Sequence, residues 1–181
     1  MNFRPPDSYT RLNELGLIAD GNSFWYDVDW CPVVRWVETD PGRLSQYETT
    51  QPISDYYMFA ETGGGAPWCW HAGVPTTGDE FEIHEVDLYM YLPIAATFQQ
   101  FLMRKHLEGI LHCGCFDDWD LVAKNSKLLE ASLPHEVLTE VRGIEERVNV
   151  ALERGLANPF QWDEFVEVIG RRLGDKYVRR G

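Results

Sequence analysis

Alternation of apolar and polar residues predicts β-strands in the first half of the chain. Residues 24–31 follow the two-residue period of a half-buried strand, with apolar side chains at positions 24, 26, 28 and 30. Pro32 has no amide hydrogen to donate, so residues 33–37 are expected to be a bent continuation or a new edge strand. Further strands are predicted at residues 53–60, 68–71 and 81–91, the last with a bulge near His84 and Glu85, where the apolar period slips.

A period of three to four residues predicts helices at the start of the chain and in its later part. A short helix is expected after Pro5 and Pro6, with Asp7 or Ser8 as its N-cap and Gly16 at its end. Residues 113–120 (CGCFDDWD) break the helical pattern. Longer helices are predicted to begin at Pro93, at Ser132 with Pro134, and at Asn158 with Pro159.

This order of elements predicts an α+β fold, in which a twisted, mostly antiparallel sheet is backed by helices and followed by additional C-terminal helices. We expect residues 1–112 to form one α+β domain. Residues 113–181 are expected to be a helical extension whose apolar stripes pack on that same domain, with pairing to a second copy as the alternative. The expected state is therefore a monomer or a weak homodimer.

Charge is distributed unevenly along a strongly acidic chain. The 181 residues include 16 Lys+Arg and 29 Asp+Glu, for a net charge of −13. The electrostatic field of so acidic a protein disfavours binding to nucleic acid and to anionic membranes, and it attracts a basic protein partner. The alternative is that the acids only make the surface soluble. Residues 44–103 contain no Lys or Arg but eight acids: Glu48, Asp55, Glu61, Asp79, Glu80, Glu82, Glu85 and Asp87.

Three of these acids adjoin the start of a predicted strand. Because Asp79, Glu80 and Glu82 are expected on the surface there, we expect folding to tolerate lysine at all three positions.

Composition sets the expected environment of the protein. Hydrophobic residues make up 44% of the chain and aromatic residues 13%, which is enough for a packed core. No apolar run reaches the roughly 18 residues of a membrane span, and no signal peptide is recognisable. Four cysteines in a chain of this length do not suggest a disulfide scaffold, so we expect a cytoplasmic protein with free thiols.

Gly63, Gly64 and Gly65 separate two aromatic-rich segments. A phosphate-binding loop would be followed by a helix with a basic residue nearby, whereas a predicted aromatic strand follows here. The glycines are therefore expected to form a tight turn or bulge between strands. We predict that Gly64 has a backbone conformation open only to glycine, so Gly64→Val should lower stability by about 1–3 kcal/mol.

Cysteine and histidine residues form one candidate metal-binding set. Cys69, His71, His112, Cys113 and Cys115 supply five soft ligands, but their spacings differ from the paired knuckles of structural zinc sites. Buried free thiols and a surface histidine are the preferred interpretation. We therefore expect neither a metal nor a cofactor.

Acidic residues near His112 form a candidate catalytic set. Asp117, Asp118 and Asp120 are interpreted as caps and surface groups, and a metal-assisted hydrolase built on Asp117, Asp118 and His112 stays an alternative. No nucleophile and base stand out as a pair among the five histidines. No catalytic residue is predicted, and the protein is not expected to be an enzyme.

The order of several motifs resembles the SUKH superfamily. These motifs are PPDSY at residues 5–9, YMFAETGGG at 57–65, WCW at 68–70 and AATFQQFL at 95–102. The superfamily shares a domain with a fungal cell-wall-synthesis regulator and includes many bacterial toxin-immunity proteins. The resemblance covers residues 5–111, and Ala66 and Pro67 stand where many members have an acidic residue.

The resemblance implies an α+β domain that binds another protein without catalysis. Bacterial members typically neutralise a cognate toxin, often a basic nuclease, whereas the fungal relatives suggest a regulatory scaffold. The partner is then a basic toxin domain that meets the eight acids of residues 44–103. Trp68 and Trp70 are two residues apart on a predicted strand, where successive side chains point to opposite faces. We therefore expect both tryptophans on one face of the sheet and Cys69 on the other.

Overall fold

The computed structural model describes residues 3–19, 23–24, 28–38, 53–87, 90–112 and 119–178. The chain divides into two compact units, Met1–Phe101 and Leu102–Gly181. Within the described residues it contains five strands and five α-helices, and the predicted α+β fold is confirmed. The predicted domain division after residue 112 stays a prediction. No helix in the described ranges is long and apolar enough to cross a membrane.

The first unit contains a short helix, a five-stranded sheet and the start of a second helix. Helix α1 is Asp7–Glu14, and helix α2, Phe98–His112, begins in this unit. The strands lie in the order β1-β2-β3-β4-β5, and each pairs antiparallel with the next. Their bounds are Asp29–Arg35, Tyr56–Glu61, Pro67–Pro75, Phe81–Asp87 and Met90–Ala95.

Strand β1 begins later than predicted and continues through Pro32. The alternation from position 24 is not one strand, because the Phe24 amide donates to the Val28 carbonyl (2.6 Å) and β1 begins only at Asp29. Pro32 lies within β1, where the register against β2 is irregular. As β1 is an edge strand, the missing amide hydrogen of Pro32 is tolerated.

The prediction of one long strand at residues 81–91 is wrong, because Phe81–Asp87 is β4 and Met90–Ala95 is a second strand, β5, paired antiparallel with it. The predicted helix start at Pro93 is also wrong, because Pro93 lies in the edge strand β5 and pairs with His84. Helix α2 begins only at Phe98, after Thr97, whose hydroxyl accepts an amide hydrogen from the first turn. The β4–β5 register shifts between positions 83 and 84, next to the predicted bulge.

The three glycines lie in the turn that joins β2 and β3. The Gly65 amide donates to the Thr62 carbonyl (2.8 Å), and the Thr62 amide donates to the Ala66 carbonyl (2.8 Å). Gly65 has a φ of 81°, in the left-handed region, as in a three-residue hairpin loop with a glycine bulge. Gly64 is not among the positive-φ glycines, so its predicted glycine-only conformation is wrong.

We expect Gly65→Val to lower the free energy of unfolding by about 1–3 kcal/mol, and Gly64→Val by less than about 1 kcal/mol. A Cβ at Gly65 would meet no atom within 4 Å, so the loss comes from backbone strain rather than a clash. Urea unfolding of both variants measures the difference. Equal losses would show that the left-handed conformation of Gly65 does not matter for stability.

One face of the sheet packs against α1 and the first turn of α2 through aromatic rings. Trp70, on β3, lies with its ring centroid 4.2 Å from Phe59, 5.0 Å from Tyr9 and 6.0 Å from Phe98. Trp68 is also buried, and its ring contacts that of Phe101 within the same unit. These rings form the core of the first unit.

The other face of the sheet has a smaller buried cluster. Cys69 packs there with Trp36, Tyr56 and Val86. Cys69 is a free thiol, and burial raises its pKa well above the ordinary value. Both faces of the sheet therefore carry buried side chains.

The second unit is helical. It contains most of α2, then α3 (Trp119–Ser132), α4 (His135–Glu153) and α5 (Trp162–Leu173). The helices predicted after Ser132 and Asn158 correspond to α4 and α5, whereas α3 was not predicted. Buried side chains from these helices include Leu107, Leu128, Leu129, Val141, Ile144, Val148, Phe165 and Ile169.

Candidate functional site

Asp79, one of the acids predicted to bind a partner, caps a helix. Its Oδ2 accepts the backbone amide hydrogen of Asp7 (2.5 Å). The N-cap of α1 is Pro6, which makes no side-chain capping bond, so the predicted capping by Asp7 or Ser8 is wrong. The carboxylate comes from the β3–β4 connection instead, and it also complements the positive end of the α1 dipole.

Glu80, the next acid, joins the N-termini of two helices. Its Oε1 accepts a hydrogen bond from the Ser8 hydroxyl on α1 (2.5 Å), and its Oε2 accepts the Phe98 amide of α2 (2.9 Å). The side chain is buried. Burial raises the pKa of this carboxyl, and the hydrogen bonds from Ser8 and Phe98 offset part of that rise.

Glu82 begins a buried hydrogen-bonded chain on the face of the sheet that contains Cys69. Its Oε2 lies 2.8 Å from Nε2 of His84, whose Nδ1 lies 3.1 Å from the Tyr56 hydroxyl. The ring of His71 stacks on Tyr56 at 4.6 Å. Burial raises the pKa of Tyr56 and lowers that of His71, so both groups are neutral at pH 7. The chain satisfies buried polar groups, which is a structural role.

The eight acids therefore do not form one surface. The expectation that Glu80 and Glu82 are solvated and could be replaced by lysine is wrong, because both are buried and an ammonium group would lose their hydrogen bonds. Glu61 and Asp79 are exposed, while Asp55 and Glu85 are partly exposed. Glu48 lies outside the described residues, as does the side chain of Asp87. Partner binding by these acids stays a prediction.

A pocket of about 680 Å³ opens at one end of the sheet of the first unit. Its aromatic lining consists of Phe3, Tyr57 and Phe81, and the Phe3 ring stacks on Tyr57 at 4.0 Å and lies 5.3 Å from Phe81. Phe3 also contacts the ring of Trp70 at 5.7 Å. The aromatic core thus extends to the surface in this pocket, for which no pattern in the sequence gives a signal.

Charged side chains surround these rings. The Arg4 guanidinium lies 2.7 Å from the Asp7 carboxylate, and Arg35 donates to the Tyr57 hydroxyl (3.2 Å). Among the described contacts, Asp55 accepts only one long hydrogen bond, 3.3 Å from the neighbouring Ser54. The charged lining residues are three acids and two arginines, Asp7, Asp55, Asp79, Arg4 and Arg35.

The candidate metal-binding and catalytic sets lie largely outside the described residues. This holds for Cys113, Cys115, Asp117 and Asp118, and for the side chain of Asp120. His112 is exposed at the end of α2. Of Cys69 and His71, only the cysteine is fully buried. The described part of the chain contains no group of three or more His, Cys, Asp and Glu side chains placed to hold a metal ion.

The negative charge of the chain is concentrated in the first unit. Residues 1–101 contain 4 Lys+Arg and 15 Asp+Glu, a balance of −11. Residues 102–181 contain 12 Lys+Arg and 14 Asp+Glu, a balance of −2. The unit that contains the sheet and the pocket therefore carries most of the net charge of −13.

Comparison with protein-family models, with curated proteins and with solved structures finds no match to this chain.

Proposed function

We propose that this protein is a non-catalytic binding domain that neutralises a basic protein toxin, of the nuclease type, through its first unit. The observation that carries the proposal is the balance of −11 in residues 1–101 against −2 in the rest of the chain. A partner with a basic surface is attracted to that unit before contact, which raises the association rate. Nucleic acid and anionic membranes are repelled by the same field.

The contacts of the first unit support binding rather than chemistry. Its buried polar chain of Glu82, His84 and Tyr56 is internally hydrogen-bonded and removed from solvent. Its exposed features include carboxylates and an aromatic pocket, which are groups that can anchor and orient a basic protein surface. The resemblance to the SUKH superfamily agrees with this role, and a regulatory scaffold is the alternative that the same resemblance offers.

Charge reversal at exposed acids tests the steering role of the first unit. Glu14 and Glu61 are exposed and lie outside the pocket, so Glu14→Lys with Glu61→Lys changes the net charge from −13 to −9 without touching the lining. We expect the association rate with a basic nuclease domain to fall about threefold to tenfold at low salt. The difference should vanish near 1 M salt, where the Debye length is about 3 Å.

The matched control places the same change in the second unit. Glu136 and Glu153 are exposed on α4 and form no ion pair among the described residues, so Glu136→Lys with Glu153→Lys gives the same net charge. We expect this variant to associate at nearly the wild-type rate. Equal slowing in the two variants, measured by stopped flow at several salt concentrations, would contradict the assignment of binding to the first unit.

A further inference from the structure

We propose that the pocket at the end of the sheet receives the guanidinium group of an arginine side chain presented by the partner. The inference rests on the proposed function for the class of partner, and it adds the group that is recognised and the residues that recognise it.

The aromatic lining of the pocket suits a planar cation. Guanidinium groups stack on aromatic faces and are attracted to their negative electrostatic potential. The protein's own Arg35 lies within cation–π distance of this lining, with its guanidinium carbon 5.7 Å from the centre of the Tyr57 ring. The neighbouring rings of Phe3 and Phe81 provide further aromatic surface in the same pocket.

The charges in the lining favour a cation over an anion. The two arginines have carboxylate neighbours, because Arg4 lies 2.7 Å from Asp7 and Arg35 lies 3.8 Å from Glu38. The other acids of the lining are Asp55, which also interacts electrostatically with Arg35, and Asp79, whose Oδ2 accepts the Asp7 amide hydrogen. An entering anion would have to approach both carboxylates. An arginine can donate two parallel hydrogen bonds to such a carboxylate.

Gly73 leaves room for the Asp55 carboxylate beside the pocket. A Cβ added at Gly73 would lie 3.2 Å from Asp55 Oδ2 and 3.2 Å from His71 Nε2, which is closer than ordinary van der Waals contact. A residue with a side chain at this position would therefore push against the carboxylate. The absence of a side chain at Gly73 leaves this space to the carboxylate of Asp55, a residue of the pocket lining, and we assign Asp55 the role of binding the guanidinium.

A titration of the full chain with N-acetyl-L-argininamide, followed by amide proton–nitrogen NMR, tests the inference. We expect saturable shifts at the amides of Tyr57, Gly73 and Phe81, with a dissociation constant of about 1–10 mM, as is typical of a ligand of this size. N-acetyl-L-citrullinamide has nearly the same shape without the charge. It should bind at least about tenfold more weakly.

Two variants locate the binding site. Asp55→Asn should weaken binding of the argininamide about fivefold or more, whereas Glu136→Gln, which removes one exposed charge outside the pocket, should leave it unchanged within about twofold. The inference is overturned if the two compounds bind equally, if no saturable shift occurs at the pocket, or if Asp55→Asn binds as the wild type does.

The outcomes separate this inference from the proposed function. If argininamide binds at the pocket and no basic nuclease binds the chain, the pocket is correct and the proposed function is wrong. If a basic nuclease binds and argininamide does not, the proposed function stands and the pocket is not the site of recognition.

Discussion

Trp70→Ala is expected to lower the free energy of unfolding by about 3–5 kcal/mol, the range for removing a large aromatic side chain from a core. The Trp70 side chain is 0% exposed and lies at the centre of the aromatic core of the first unit. Its ring contacts those of Phe59, Tyr9 and Phe98, so truncation leaves a cavity that these rigid rings cannot fill. Urea unfolding followed by circular dichroism measures the loss.

The chain offers a matched control for this substitution. Trp162, on α5, is 43% exposed, and its ring stacks on that of Phe165. Trp162→Ala should therefore cost less than about 1 kcal/mol. If Trp70→Ala does not fold, Trp70→Phe keeps part of the ring volume and should lose about 1–2 kcal/mol. Similar losses at the two tryptophan positions would contradict the placement of the core.

Glu80→Ala is expected to lower the free energy of unfolding by about 2–4 kcal/mol, although an acidic residue near the start of a strand can ordinarily be replaced at little cost. The substitution removes the carboxylate that accepts hydrogen bonds from the Ser8 hydroxyl and the Phe98 amide. These two donors, at the N-termini of α1 and α2, then lose this acceptor. Each unsatisfied buried donor costs about 1–3 kcal/mol. Asp79→Asn, at the exposed neighbouring cap, should cost less than about 1 kcal/mol because its amide oxygen still accepts the Asp7 hydrogen.

The pH dependence of stability separates the charge of Glu80 from its hydrogen bonds. Because the pKa of Glu80 is raised in the folded protein, the folded state binds this proton more tightly than the unfolded chain does. The stabilisation from protonation is fully present below the ordinary pKa of 4.5 and is lost as the pH rises through the folded pKa. Glu80→Gln keeps an acceptor but cannot titrate.

The stability of the wild type relative to Glu80→Gln should therefore increase as the pH is lowered toward 4.5. Taking the difference between the two proteins removes the contribution of the other carboxyl groups. A difference that stays constant with pH would show that Glu80 is not buried as the structure places it.

Elements with a regular apolar period are predicted correctly from the sequence. Elements are misplaced where a proline or a charged residue is acceptable only because of its position in the folded sheet. Helices α4 and α5 follow an uninterrupted apolar stripe, and both were predicted. The sequence predicts a helix that starts at Pro93, because proline is favoured at the first position of a helix. Proline is equally acceptable on an edge strand, and only the pairing of β5 with β4 shows that this strand lies at the edge.

The acids show a second limit of sequence analysis. A run of carboxylates without bases predicts a solvated surface, but Glu80 and Glu82 are buried. The sequence does not show this, because each carboxylate belongs to a hydrogen-bonded set whose members come from separate segments of the chain. Glu80 bonds Ser8, 72 residues away, and Glu82 lies in a chain that ends at Tyr56 on another strand. The alternation of Glu82 and His84 on β4 was a local signal that the two side chains share a face.

The pocket could not be predicted from the sequence for the same reason. Phe3, Tyr57 and Phe81 belong to three separate segments, and only the order of the strands brings their rings together. Each of these aromatic residues, taken alone, predicts only that its side chain packs in a hydrophobic core. The balance of −11 in residues 1–101, by contrast, can be counted directly once the bounds of the unit are known.

The most direct test of the account is titration of the full chain into a panel of basic nuclease toxin domains, beginning with any that are encoded beside its own gene. The account predicts that at least one domain forms a 1:1 complex at physiological salt and that its nuclease activity falls to zero at the equivalence point. Glu14→Lys with Glu61→Lys should slow formation of that complex at low salt. Full nuclease activity of every domain in the presence of excess chain would contradict the proposed function.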